Sequence, residues 1–246
     1  SPGVVAGVTS ATYAAWEIVE PAAYTNSNSM DNRSGGNGWT NAWSAGAWFV
    51  TNLQPTAAGL YPTSRGNSLF LPTNTAGDIY RNFPQVSTGR LYLSYVVSYG
   101  NNGAGTYGGV QLASNANGRI FIGLRGGSAV MGVEESSGFT GANSGYGLSA
   151  GTNNSHTILA RYDFSTREIA AMAVYRTGAV PTAEPAGWDV TFTVPSGVAN
   201  AINGVRLNFG GFSGNSVGNT YVDEIRVAQS WANLVQQYGP DATNYV

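Results

Sequence analysis

The chain contains no cysteine and no lysine, has a single histidine, and carries little charge of either sign. Each scarcity narrows the field. Without cysteine there is neither a disulfide framework nor a thiolate metal site. All 11 basic residues are arginines, set against 13 acids for a net charge of −2, so no basic surface is on offer for nucleic acid. Charged residues are 10% of the sequence, well below the roughly 25% of an ordinary soluble protein. No apolar run approaches the ~18 residues of a membrane span. Disorder is disfavoured too, because 42% hydrophobic and 12% aromatic residues can build a core.

What abounds is glycine, 34 of 246 residues, about twice the usual share, together with 23 asparagines. These residues gather between runs of β-branched and aromatic side chains. Residues 90–99 (RLYLSYVVSY) show no helical period. Residues 118–124 (GRIFIGL) alternate, with Ile120, Ile122 and Leu124 on one face and Arg119, Phe121 and Gly123 on the other. Comparable runs lie at 48–53, 68–71, 110–113, 129–134, 157–163, 168–176, 189–194, 204–209 and 221–228. Glycine, asparagine and serine clusters at 100–105, 115–118, 136–147, 151–155 and 210–219 read as turns and loops. One helical turn is expected at 230–237, with Ser230 as its N-cap. Many short strands with no βαβ rhythm predict an all-β chain, a single β-sandwich or jelly roll. The expected organisation is an extended N-terminal arm at 1–15, the sandwich at 16–235, and a C-terminal tail at 236–246.

Two segments carry a family resemblance. The first is Gly38-Trp39-Thr40-Asn41-Ala42-Trp43-Ser44, shortly after Trp16-Glu17-Ile18-Val19-Glu20. The second is Tyr221-Val222-Asp223-Glu224-Ile225-Arg226-Val227, followed by Ser230-Trp231-Ala232-Asn233-Leu234. Together they resemble the concanavalin A-like, LamG-type jelly-roll domains of bacterial secreted and surface proteins. The pair of runs at 156–163 and 168–175 resembles the hairpin of that family. The resemblance implies a secreted or cell-surface location in bacteria, and says almost nothing about ligand. Zero cysteine and a chain opening on Ser1-Pro2-Gly3 fit a processed extracellular protein. The resemblance also implies a structural Ca²⁺ bridging the opening segment and the closing strand. The matching carboxylates are Glu17, Glu20 and Asp223, against the competing expectation that Asp223 and Glu224 pair with Arg226 or Arg161.

Catalytic signatures are weak. Retaining glycoside hydrolysis needs two carboxyls about 5–5.5 Å apart, which on a strand means positions i and i+2. Glu134-Glu135 and Asp223-Glu224 are adjacent, and adjacent strand residues point to opposite faces. A polysaccharide lyase needs a base and a cation at the uronate, and His156 stands alone at the start of a strand. No Gly-x-Ser-x-Gly elbow occurs. The expectation is therefore that the protein is not an enzyme.

Two readings remain. In the first, a structural or adhesive protein packs against copies of itself. Strands without charge leave unguarded edges, and the two ends offer apolar donor segments at Val4, Val5 and Val8 and at Tyr245 and Val246. In the alternative, a lectin-like module binds polysaccharide on aromatic platforms. Its candidates are Trp39, Trp43 and Trp48, with Tyr99, Tyr107 and Tyr146 in the glycine-rich loops. The first is the main expectation, and burial of both Trp39 and Trp43 would remove the platform.

Overall fold

The computed structural model describes the backbone of residues 17–20 and residues 29–30, 33–34, 38–51 and 68–235 in full. They form two antiparallel sheets, a jelly-roll β-sandwich. One sheet holds β1 (Glu17–Glu20), β2 (Phe49–Thr51), β3 (Ser68–Leu71), β5 (Arg90–Ser98), β10 (Ser155–Asp163), β11 (Glu168–Tyr175), β12 (Val190–Thr193) and β14 (Thr220–Ala228). Its order is β12-β11-β10-β5-β14-β3-β2, with β1 also on β14. The other sheet holds β4 (Gly77–Val86), β6 (Thr106–Ser114), β7 (Asn117–Leu124), β8 (Val130–Glu135), β9 (Gly141–Gly147) and β13 (Ile202–Gly211), in the order β4-β13-β6-β7-β8-β9.

The inward faces make the main core. Leu93, Tyr95, Val97, Ile158 and Ile225 of one sheet meet Val110, Leu112, Ile120, Ile122, Leu207 and Phe209 of the other. Alternation along each strand produces this division, because successive side chains leave opposite faces. A second apolar cluster lies on the far side of the eight-stranded sheet, where Tyr92, Val96, Leu159, Val174, Val180, Trp231 and Leu234 pack together. Residues 176–189 and the short helix α1 (Trp231–Leu234) lie over that face. Ser230 is the N-cap as expected, its Oγ accepting the Asn233 N–H at 3.2 Å.

The uncharged run at 91–99 falls almost wholly in β5, in the middle of its sheet between β10 and β14. Nearly every residue of β5 is buried. Its lack of charge is that of a strand covered on both faces, and it leaves no edge to guard. The edges are managed otherwise. β2 and β12 are three and four residues long, and short edges template poorly. β4 is screened by residues 40–44: the Thr40 and Ser44 N–H groups donate to the carbonyls of Asn82 and Tyr80 at 2.9 and 3.0 Å. In return, Ser44 Oγ and Asn41 Oδ1 accept the Tyr80 and Asn82 N–H groups at 3.0 and 2.8 Å.

Two strands depart from the sequence reading. β4 contains Pro84, which cannot donate to a ladder. Pro84 falls within the stretch where the β4–β13 register shifts between Ile202 and Gly204. β9 falls inside a segment that reads as a loop, and it forms as an edge strand on β8. The arm at 1–15 and the tail at 236–246, with Val4, Val5, Val8, Tyr245 and Val246, lie outside the described residues.

Candidate functional site

On the six-stranded sheet, the residues facing away from the core fall into rows across the strands. One row runs Tyr80, Arg206, Gln111, Phe121, Glu134. The next runs Asp78, Asn208, Gly109, Gly123, Gly132, Asn143. Three consecutive glycines meet in this row, all buried, with Phe121 lying against Gly109 and Arg125 against Gly132. Beyond them stand Tyr107 and Phe212, their rings 5.1 Å apart. The result is a groove of about 490 Å³ lined by Gln111, Phe121, Glu134 and Asn208 on one side and by Tyr107, Phe212, Arg125 and Phe139 on the other. Glycine is required in this row. Gly123 has φ +150°, and a Cβ there would stand 2.5 Å from the Gly108 carbonyl oxygen. A Cβ on Gly132 would stand 2.5 Å from Arg125 Cδ, so the bare backbone at 132 is what lets the arginine lie along the sheet.

Arg125 ties this region together. Its Nε donates to Glu134 Oε2 at 2.8 Å, its Nη1 to Asn143 Oδ1 at 2.8 Å, and its Nη2 to the Phe139 carbonyl at 3.3 Å. Planar guanidinium geometry suits such a three-way clamp. Phe139 is thereby held 71% exposed with φ +54°. Phe212 is 58% exposed. A bulky residue at positive φ costs conformational energy, and an exposed ring returns no burial to offset it. Tyr107 has its phenol pKa raised, first by burial and then by the nearby Asp78 charge.

Of the six aromatic residues expected to form a platform, the structure brings one, Tyr107, to this groove. Trp43 and Trp48 are 1% and 0% exposed. Trp39 is half-buried, its ring 5.7 Å from Trp43 and 6.4 Å from Phe83. The Arg81 guanidinium lies 4.9 Å over the Trp39 ring. These tryptophans close the sandwich beside β4, and Trp48 packs edge-on against Phe209 at 5.1 Å. Tyr99 is fully buried, donating to the Gly108 carbonyl at 2.8 Å. Tyr146 is half-buried, its hydroxyl 3.0 Å from His156 Nδ1, and burial first of all pushes its pKa up to about 12. The expected platform is corrected at Trp43 and Trp48, which apolar packing holds inside, while Trp39 is half-buried; among the described residues the exposed phenylalanines are Phe49, Phe139 and Phe212, of which the last two line the groove. Both sit in glycine- and serine-rich segments that read as loops, where a lone phenylalanine has no core to join.

The expected Ca²⁺ ligands are only partly placed. Asp223 is 5% exposed, and its Oδ1 accepts the Glu224 N–H at 2.8 Å. The β1 backbone sets Glu20 opposite Ile225 and Glu17 opposite Ala228, on the far side of a bulge at which Glu224 has φ +51°. The side chains of Glu17 and Glu20 lie outside the described residues. Among the described residues no cluster of three or more His, Asp or Glu side chains gathers for a metal. Glu224 pairs with Arg226 at 3.4 Å, while Arg161 pairs with Glu168 at 2.5 Å and with Glu184 at 2.7 Å. On the open face, Glu134 and Asp78 stand four strand spacings apart, about 19 Å, beyond the carboxyl separations of retaining and inverting hydrolysis alike.

No family model and no curated protein matches the chain. Solved structures do. The chain is similar to a β-1,3-glucanase from Mycobacterium marinum at 14% identity and a TM-score of 0.47, over 85% of this chain and 97% of that one. It is similar to a glycosyl hydrolase family 16 protein from Mycobacterium smegmatis at 12% identity and 0.46, over 85% and 98%. It is also similar to the basic winged bean lectin, solved with Tn-antigen, at 9% identity and 0.48, over 86% and 98%. These likenesses are of fold. They overturn the expectation that the chain is not an enzyme, because glycosyl hydrolases are among the structures it resembles. The missing i, i+2 carboxylates exclude one spacing of catalytic groups on one strand, and no more than that.

Proposed function

We propose that this protein binds a polysaccharide chain across the groove on the six-stranded sheet. The observation that carries the reading is Phe139, held exposed at positive φ by Arg125 at the side of a groove. The groove supplies what sugars need: apolar faces from Tyr107, Phe139 and Phe212 for the C–H side of a ring, and amide and charged groups from Asn208, Arg125 and Glu134 for hydroxyls. The groove favours this reading over self-assembly as the main activity, since the uncharged strand that suggested open edges lies in the middle of its sheet. We further propose a LamG-type domain, secreted or displayed on a bacterial surface, with any Ca²⁺ at Glu17, Glu20 and Asp223, on the sheet that does not carry the groove.

Affinity electrophoresis through gels containing a neutral β-1,3-glucan, a mannan or a pectin tests the proposal. Retardation by at least one polysaccharide is expected, with loss in the Phe139→Ala, Phe212→Ala double variant. Both side chains are exposed, so the fold should survive their removal. Reducing ends measured in the same samples report hydrolysis. Migration unaffected by every polysaccharide, or retardation equal in the double variant, overturns the proposal. A chelator in a parallel gel separates Ca²⁺ from sugar recognition.

A further inference from the structure

The loop end of the sandwich holds a second cavity, of about 510 Å³, that the groove does not use. Four connections meet there: the β3–β4 turn, the chain after β5, the chain before β10, and the β13–β14 loop. They are bonded into one rigid rim. Asn219 Oδ1 accepts both the N–H and the hydroxyl of Thr73 at 2.8 Å, and Ser216 Oγ accepts the Asn74 N–H at 2.9 Å. Asn101 donates its backbone N–H to Val217 at 2.6 Å and its side-chain amide to the Ser216 carbonyl at 2.9 Å. Gly100 seals the contact, since a Cβ there would stand 2.7 Å from the Asn219 carbonyl oxygen.

With the rim held by these bonds, four polar groups are left over. The side-chain amide of Asn74, the hydroxyl of Thr152, Oδ1 of Asn215 and Nδ2 of Asn219 make no hydrogen bond among the described residues. All four residues are exposed. Among the described lining residues there is no charged side chain and no aromatic ring. An anion would find no cation in this lining, and a divalent cation would find no carboxylate. A neutral ligand with several adjacent hydroxyls matches the mixture of amide donors and acceptors.

We propose that this pocket is a second saccharide site, taking one neutral sugar ring by hydrogen bonds alone. Having no apolar platform, it binds in about the millimolar range. It does not depend on the groove, although the β13–β14 loop walls both: Phe212 faces the groove, and Asn215, which donates to the Phe212 carbonyl at 2.9 Å, lines the pocket.

Nitrogen-15 NMR with methyl glucoside, mannoside and galactoside tests the site. At least one glycoside should shift the side-chain NH₂ signals of Asn74 and Asn219 and the backbone signals of Gly214 and Gly218. Thr152→Trp, which puts a large ring at the exposed rim, should remove these shifts with the rest of the spectrum intact. Phe139→Ala should leave them unchanged. The site is overturned if no glycoside moves these signals at about 100 mM, if Thr152→Trp leaves the shifts in place, or if only signals around Phe139 and Phe212 respond. It is equally overturned if calcium chloride moves the pocket signals and no glycoside does.

Discussion

The outer faces of the two sheets have been treated in opposite ways. The eight-stranded sheet covers its own: residues 176–189 and α1 lie across it, and Tyr92, Leu159, Val180, Trp231 and Leu234 make a second core beneath them. Glu184 pins the cover, accepting from Tyr92 Oη and from Arg161 at 2.7 Å each. The six-stranded sheet covers its face with its own side chains, Phe121 and Arg125 lying against a row of glycines, and holds Phe139 and Phe212 out to solvent. A sheet face that needs only stability is buried. One covered only by its own side chains, with Phe139 strained and both Phe139 and Phe212 exposed at its margin, is the face on which binding is proposed.

The comparison yields graded tests. Trp231→Ala strikes the covered face, where the ring is 5% exposed, stacks edge-on with Trp188 at 5.8 Å, and donates to the Pro181 carbonyl at 3.1 Å. It should cost about 3–5 kcal/mol in denaturant unfolding, while the groove of the folded fraction keeps its affinity. Gly132→Val strikes the open face. Its side chain displaces Arg125, and a loss of about 1–3 kcal/mol in stability should accompany a fall in polysaccharide retention larger than that of any covered-face variant. If Trp231→Ala and Gly132→Val affect retention equally, the contrast between the faces fails.

Acid should release the cover. Burial raises the Glu184 pKa, but hydrogen bonds from Arg161 and Tyr92 outweigh it and the net shift is down. Asp163 falls to about 2, through its bond from Ser165 and then from Arg90. Both folded pKa values lie below the unfolded ones. Their stabilisation is therefore complete above the unfolded carboxylate range near pH 4 and is lost as pH falls through the folded values. Tryptophan fluorescence from Trp188 and Trp231 should change over about pH 4 to 2, and Glu184→Gln should shrink that transition at a cost of about 1–3 kcal/mol. A transition of unchanged size in Glu184→Gln refutes the pin. Phe139→Ala should have the smallest effect on stability, within about 0.5 kcal/mol, and a clear effect on retention. A large drop in melting temperature would instead make Phe139 a packing residue.

Much of the fold is legible in the sequence. Ile120, Ile122 and Leu124 enter the core from one face of β7 as alternation predicts, and the closing strand and its Ser230 cap form where expected. β9 is invisible there because an edge strand of Gly, Asn and Ser carries no apolar period, and β4 because Pro84 and its polar neighbours mimic a loop. The site is far less legible. Residue type alone points to the large aromatics as platforms, yet Trp43, Trp48 and Tyr99 lie in the core, which rewards the largest apolar area. The exposed Phe139 and Phe212 carry no local signal.

Composition and alternation alone determined an all-β sandwich, because side-chain direction in a strand depends only on position parity. Which face lies open, and which residues line it, only the tertiary structure decided. Gly109, Gly123 and Gly132 are separated by fourteen and nine residues in sequence, and register alone sets them side by side. A groove is a property of neighbouring strands, and no single strand contains it.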